Sequence, residues 1–287
     1  MNIFARRFSA LISASIICAC APFSQAVNFC DEAADTVRIN NLLSKAIALT
    51  DPNKRVEMLA REFIGTPYVA STLEGDGEET LTVCASKVDC TTLIDNIMAL
   101  GITAGERRQS WRDFVYNLRN TRYRGGETNG YASRLHYISD WVVDNVHRGN
   151  FTEVTGNYPD AAYEVKTLNF MTANRNLYPA LADDAAFMAM KNVEGGYRNH
   201  RTPIIKSKSV AKASKGFLRS GDIIALTTSK KGLDVSHMGV VIMDNGTAYL
   251  LHASSKEGRV VIDRLPLADY LAKNRSLTGI RVFRLKE

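Results

Sequence analysis

The chain has 287 residues, 45% of them hydrophobic and 23% charged, with a formal net charge of +6. That composition is globular and allows one large domain or two small ones. Past the first residues no apolar run reaches the roughly 18 needed to span a membrane. Nor does any glycine-rich phosphate loop or interleaved aromatic and basic pattern argue for nucleotide or nucleic-acid binding.

The N-terminus begins Met1-Asn-Ile-Phe-Ala-Arg-Arg7 and continues with an apolar run to Cys20 and Ser24-Gln25-Ala26. These are the charged, apolar and small-residue regions of a secretory signal peptide, with cleavage expected after Ala26. A lipoprotein signal ending at Cys20 is the alternative reading. Loss of Arg6 and Arg7 lowers the balance from 36 − 30 = +6 to 34 − 30 = +4. The expectation is a mature protein at 27–287, secreted to the periplasm or cell envelope. Its cysteines are then Cys30, Cys84 and Cys90, an odd number in an oxidising compartment. A Cys30–Cys84 bridge would leave Cys90 free, whereas a Cys84–Cys90 bridge would silence it.

In chain order, helices are expected around 39–49 and over 54–64, the latter with Val56, Leu59 and Phe63 on one face and Gly65 as a C-terminal stop. Residues 71–87 read as a loop with a short extended piece. Asp89 is a suitable N-cap for a helix over 90–100, which Gly101 should close. Two amphipathic helices follow between 107 and 149, one built on Trp111 and Leu118, the other on Leu135, Trp141 and Val146. A further helix is expected near 180–190, and the Ser/Lys-rich stretch 206–215 reads as a solvated loop. From 222 the pattern changes to short runs rich in Val, Ile and Leu at 222–228, 237–244, 247–253, 259–264 and 279–285, an antiparallel sheet.

Asn245-Gly246 is a strong hairpin signal. A two-residue turn there pairs Asp244 with Thr247 and, by counting outward, Gly239 with His252. His237, two residues from Gly239, then shares a face with His252 as its diagonal neighbour. Such a pair can supply a base and the group that fixes its tautomer. Cys90, at a helix start, meets free N–H groups and the positive end of the helix dipole, which favour a thiolate and could receive an oxyanion. Taken singly, each of these residues is as readily a core cysteine or a satisfied histidine. Metal binding is a weaker explanation, because Cys84 and Cys90 are too far apart for a short paired-ligand motif and the other histidines fall in unrelated contexts.

Gly65-Thr66-Pro67-Tyr68, Asp89-Cys90, Ser236-His237-Met238-Gly239 and His252-Ala253-Ser254 resemble the ordered motifs of the NlpC-type, papain-like cell-wall cysteine peptidases. The longer segments 65–74, 89–95, 131–137, 221–224 and 232–237 are similar to a narrower branch, the N-acetylmuramoyl-L-alanine amidase-like proteins once grouped as domain-of-unknown-function family 1460. The resemblance implies an α+β fold, with a helical N-terminal part whose central helix carries the cysteine, packed on a C-terminal antiparallel sheet. It implies a single catalytic domain with an insertion at about 102–215, and a catalytic triad of Cys90, His237 and His252 with Tyr68 near the nucleophile. The implied reaction is hydrolysis of the lactyl–L-alanine amide of muropeptides, with anhydro forms preferred and no metal or organic cofactor. Stem-peptide endopeptidase activity and a non-catalytic peptidoglycan-binding module are the alternatives. Where common members have Ser-Gly after Asp-Cys, this chain has Thr91-Thr92. Substrate contacts are expected from Arg134, His136 and Tyr137 of the insertion, and from Asp234 and Ser236 beside the catalytic strand.

Overall fold

The structure is a computed structural model that describes residues 26–75 and 78–286. The leader expected at 1–26 lies almost wholly outside the described residues. Helices α1 (Glu32–Ala46), α2 (Pro52–Glu62), α3 (Cys90–Gly105), α4 (Trp111–Arg122) and α5 (Ile138–His147) form the helical part. The short helix α6 (Phe170–Ala173) and α7 (Asp184–Gly195) lie in the expected insertion. Helices α8 (Val210–Ala213) and α9 (Leu267–Lys273) pack against the sheet.

Strands β1 (Val27–Phe29) and β2 (Leu81–Val83) form a small parallel pair. The main sheet contains β3 (Phe151–Glu153), β4 (Ala162–Lys166), β5 (His200–Lys206), β6 (Ile223–Thr228), β7 (Val235–Asp244), β8 (Thr247–Ser254), β9 (Arg259–Pro266) and β10 (Leu277–Leu285). Its order is β4-β5-β10-β6-β7-β8-β9, with β3 also on β10, and every pairing in it is antiparallel. The α+β architecture expected from the sequence is the one observed.

Period-two alternation gives the sheet two buried faces. Val240, Ile242, Leu251 and Ala253 join the core built with α1–α5, while Val241, Ala248 and Leu250 join a second core with Leu267 and Leu271 of α9. Helix α3 carries twelve buried residues, including Leu93, Ile94, Ile97 and Met98, so it is the centre of the helical part. It does not stop at Gly101 as expected. Gly101 stays within the helix, and since a Cβ there would lie 2.6 Å from Leu285 of β10, the missing side chain lets helix and sheet approach.

Other departures have similar causes. The stretch 206–215 is not a solvated loop: Val210 and Ala213 are fully buried, and their burial winds the segment into α8. Strands β4 and β5, unforeseen in the insertion, pair over five residues, but their alternation is blurred by exposed Tyr163 and Val165. Cys30 and Cys84 form a disulfide, and Cys90 is the free cysteine among the described residues. Around the bridge, buried Asp35 accepts hydrogen bonds from the amides of Ala85 and Ser86, and Asn96 of α3 donates to the Cys84 carbonyl.

Candidate active site

Asp89 caps α3 with its carboxylate on the amides of Thr91 and Thr92, and the Thr92 hydroxyl accepts the Asp89 amide at 2.8 Å. This reciprocal cap needs a side-chain acceptor three residues after the N-cap, and the Thr92 hydroxyl supplies it. Thr91 Oγ1 lies 3.9 Å from Cys90 Sγ.

The segment that follows α2 is pinned beside this helix start. Gly65 turns the chain at φ +86°, Tyr68 donates its amide to the Gly258 carbonyl, and Tyr68 bridges to Val88. The Tyr68 hydroxyl titrates above its ordinary value, through burial first and then through the negative charges of Cys90 and Asp89 nearby.

The β7–β8 hairpin has the register counted from Asn245-Gly246, running from Asp244 opposite Thr247 to Val240 opposite Leu251. Continuing it by one pair places Gly239 beside His252, where a Cβ on Gly239 would lie 3.3 Å from the His252 Cβ and 2.6 Å from the Leu251 carbonyl oxygen. The diagonal neighbours His237 and His252 meet, with Nε2 of His237 2.6 Å from Nδ1 of His252 and the rings at 89°.

Cys90 begins α3, which packs on β7, and the N–H groups of Met238 and of Cys90 itself favour its ionised form. Burial pushes the thiol up to about 11, with the charge of Asp89 adding to the rise, and the Thr91 hydroxyl and the two amides opposing it. Burial, followed by the neighbouring His252, pushes His237 down to about 3. These directions oppose the thiolate expected from the helix dipole and describe a neutral thiol beside a neutral imidazole. By exposure Cys90 and His237 are both half-buried, so the burial that opposes their ionised forms is partial.

Two site residues were not foreseen. Asp263 of β9 puts Oδ2 3.8 Å from Nε2 of His252, and Tyr270 of α9 packs edge-on against the His252 ring at 5.7 Å. Asp263 would have needed the β8–β9 register, in which an irregularity falls between Tyr249 and Leu251, and Tyr270 the packing of α9 against the sheet.

An open cleft of about 1170 Å³ adjoins the histidines and is lined by Ser236, His237, His252, the β8–β9 turn, Asp263 and Tyr270. Lys256, Arg259, Arg264 and Lys273 also line it, and among the described residues none of the four makes an ion pair. No residue of the insertion is among its lining residues.

Of the expected substrate contacts, Ser236 is exposed in the cleft and Tyr68 stands near Cys90. Arg134, Tyr137 and Asp234 are buried, and His136 is half-buried against Tyr131. Arg134 is buried, pairs with Glu74 and Glu79, and lies over the Tyr131 ring. His136 stacks on that ring and bonds the Tyr131 carbonyl. The Tyr137 hydroxyl donates to Glu194, and buried Asp234 accepts the Ser139 amide. Aromatic and cationic side chains that suit sugars suit a buried polar network equally well, and sequence does not distinguish the two.

Residues 58–280 match the family model AmiA-like, described as N-acetylmuramoyl-L-alanine amidase-like. Among solved structures, an N-acetylmuramoyl-L-alanine amidase from Bacteroides uniformis is similar at 36% identity and a TM-score of 0.78, over 82% of this chain and 99% of that one. A protein from Bacteroides fragilis, described as a xylanase, is similar at 38% identity and a TM-score of 0.75, over 79% of this chain and 100% of that one. A Legionella pneumophila protein at 22% identity and a TM-score of 0.67, over 89% of this chain and 96% of that one, shares the fold. No curated protein matches.

Proposed function

We propose, for a chain that belongs to the AmiA-like, N-acetylmuramoyl-L-alanine amidase-like family, a cysteine amidohydrolase that cuts the bond between the lactyl group of muramic acid and L-alanine. The observation that carries this reading is the convergence of the free thiol of Cys90, at Met238, with the contact between His237 and His252. This supports a candidate nucleophile on α3 beside a candidate base and orienting group on β7 and β8.

In this mechanism Cys90 attacks the lactyl carbonyl while its proton passes to Nδ1 of His237, the ring nitrogen not engaged by His252. The N–H groups at the start of α3 receive the oxyanion. His237 then gives the proton to the departing alanine amine, leaving a lactyl thioester on Cys90. Water, deprotonated by His237, clears the thioester and restores the thiol. A neutral resting pair suits this cycle, since the proton moves only as the carbonyl is attacked.

The cleft supports a muropeptide substrate. Carboxylates of the stem peptide match the unpaired Lys256, Arg259, Arg264 and Lys273, whereas the saccharide is uncharged apart from them. For glycoside cleavage two free carboxyl groups would be required, and Asp263 is already directed at His252. An envelope location is supported by the Cys30–Cys84 bridge, which belongs to an oxidising compartment. Among the described residues no helix is long and apolar enough to cross a membrane.

Disaccharide–anhydro-muropeptides incubated with the mature protein should yield free disaccharide and an intact stem peptide, identified by mass. A cut inside the stem peptide would instead assign an endopeptidase using the same three residues, and no turnover with an accessible Cys90 thiol would leave only a binding role.

A further inference from the structure

We infer that Asp263 is a positioning residue that acts through His252 to hold His237 in the tautomer whose Nδ1 is free to take the proton of Cys90. The inference rests on the reading of Cys90 and His237 as the working pair. Its basis is a diagonal that repeats across three strands. His252 on β8 lies directly opposite Val261 on β9, and Asp263, two residues further on, is on the same face as the His252 ring. His237 stands in the same relation to His252 across β7 and β8.

Asp263 Oδ1 accepts the Leu265 amide at 2.8 Å, which holds the carboxylate in place, and Oδ2 is 3.8 Å from Nε2 of His252. That separation is an ion-pair distance, longer than a hydrogen bond. Nε2 of His252 is buried and has no hydrogen-bond partner. His252 itself is 3% exposed, so the carboxylate decides what that nitrogen carries.

With both rings neutral, the 2.6 Å contact between Nε2 of His237 and Nδ1 of His252 holds one proton and has two arrangements. In the first, His237 donates from Nε2, its Nδ1 keeps a lone pair, and His252 carries its own proton on Nε2, facing Asp263. In the second, His252 donates from Nδ1. His237 must then be protonated at Nδ1, and is no base for the thiol, while a bare Nε2 lone pair on His252 faces a carboxylate. The charge of Asp263 favours the first arrangement and penalises the second. It also favours the imidazolium formed when the Cys90 proton arrives: the S–H bond breaks, the Nδ1–H bond forms, and the positive charge is shared toward His252. Glu257 from the β8–β9 turn contributes a weaker field of the same sign at His252.

The decisive variant is Asp263→Asn, whose amide can donate to Nε2 of His252 and so favour the inactive arrangement. In a serine protease triad, putting the catalytic histidine in the wrong tautomer by an Asp-to-Asn change costs about 10⁴-fold in kcat. Acting one ring further away, Asp263→Asn is expected to lower kcat by about 10- to 100-fold with KM within about threefold. Long-range 1H–15N spectra should show the proton of His252 moving from Nε2 to Nδ1, and that of His237 from Nε2 to Nδ1. Alkylation of Cys90 by iodoacetamide at neutral pH should slow by about tenfold, since the thiolate requires the base. Asp263→Glu should restore much of both rates, and thermal melting of both variants guards against simple unfolding. Unchanged tautomers and unchanged alkylation in a folded Asp263→Asn protein would overturn the inference. If muropeptides are not turned over but tautomers and alkylation change as described, the proposed substrate fails and the role of Asp263 stands.

Discussion

The networks around Glu194 and Asp140 in the insertion and the polar line across β7, β8 and β9 are built from similar side chains and reach opposite ends, although the insertion also holds buried Tyr131 Oη and Arg134 Nε without hydrogen-bond partners. In the insertion, buried Tyr137 donates to Glu194 and accepts the Met171 amide, while Glu194 also accepts from the Thr172 amide and hydroxyl. Buried Asp140 is gripped at both oxygens by Arg124 and accepts the Tyr197 hydroxyl. Across the sheet, by contrast, His252 keeps a buried nitrogen without a hydrogen bond, while burial raises the Cys90 thiol and lowers the His237 imidazole. A satisfied network commits its polarity to holding a shape, whereas groups left short of partners inside low dielectric are the ones that can exchange protons with a substrate.

The contrast is tested most severely at Cys90. Cys90→Ala should reduce amide hydrolysis by at least about 10³-fold while leaving the melting temperature within a few degrees, because it removes only the nucleophile. Loss of fold instead of activity would make Cys90 one more core residue. The insertion should answer in the opposite sense. Glu194→Ala strands the Tyr137 hydroxyl and the Thr172 donors, and should cost about 3 kcal/mol in urea unfolding with kcat per folded molecule unchanged.

Acid should separate the two regions less cleanly, because each holds a histidine pushed down to about 3: His237 by burial and then His252, His136 by burial and then Arg134. Between about 6.5 and about 3 the unfolded chain binds protons that the folded protein does not, so stability is full above that window and falls as pH drops through it. Urea midpoints at a series of pH values should show this fall, and His136→Gln should make it shallower without altering turnover at neutral pH.

Gly239→Ala is a smaller perturbation aimed at the histidine pair. Its Cβ would meet the Leu251 carbonyl oxygen at 2.6 Å and crowd the His252 Cβ, so a cost of about 1–3 kcal/mol is expected. Displacing His252 by even a fraction of an ångström should also lower kcat, by about tenfold. Thr92→Ala should have the least effect, about 1 kcal/mol from the lost half of the α3 cap, measured by thermal unfolding. If it also slows turnover sharply, the cap sets the thiol's position as well as the helix start.

Much of the site was legible because its geometry is local. An Asn-Gly turn fixes a hairpin register, register fixes which side chains share a face, and an Asp at a helix start fixes where Cys90 lies in its first turn. The expected and observed pairings agree from Asp244 to Val240, and α3 begins at the residue expected. The ends of elements were less legible, as at Gly101, which lies within α3 against distant Leu285 rather than closing the helix.

The C-terminal antiparallel strands, the pairing of His237 with His252 and the presence of Cys90 at a helix N-terminus were therefore readable from the residues, since each follows from contacts within a few residues or across one tight turn, whereas the α+β layout came from the family resemblance. It took the packed molecule to place Asp263 behind His252, to open the cleft over β9 and α9, to commit Arg134 and Tyr137 to the interior, and to engage half-buried His136 with Tyr131. Those outcomes depend on burial and on partners far along the chain, and a residue's chemistry does not reveal whether water or another side chain will satisfy it.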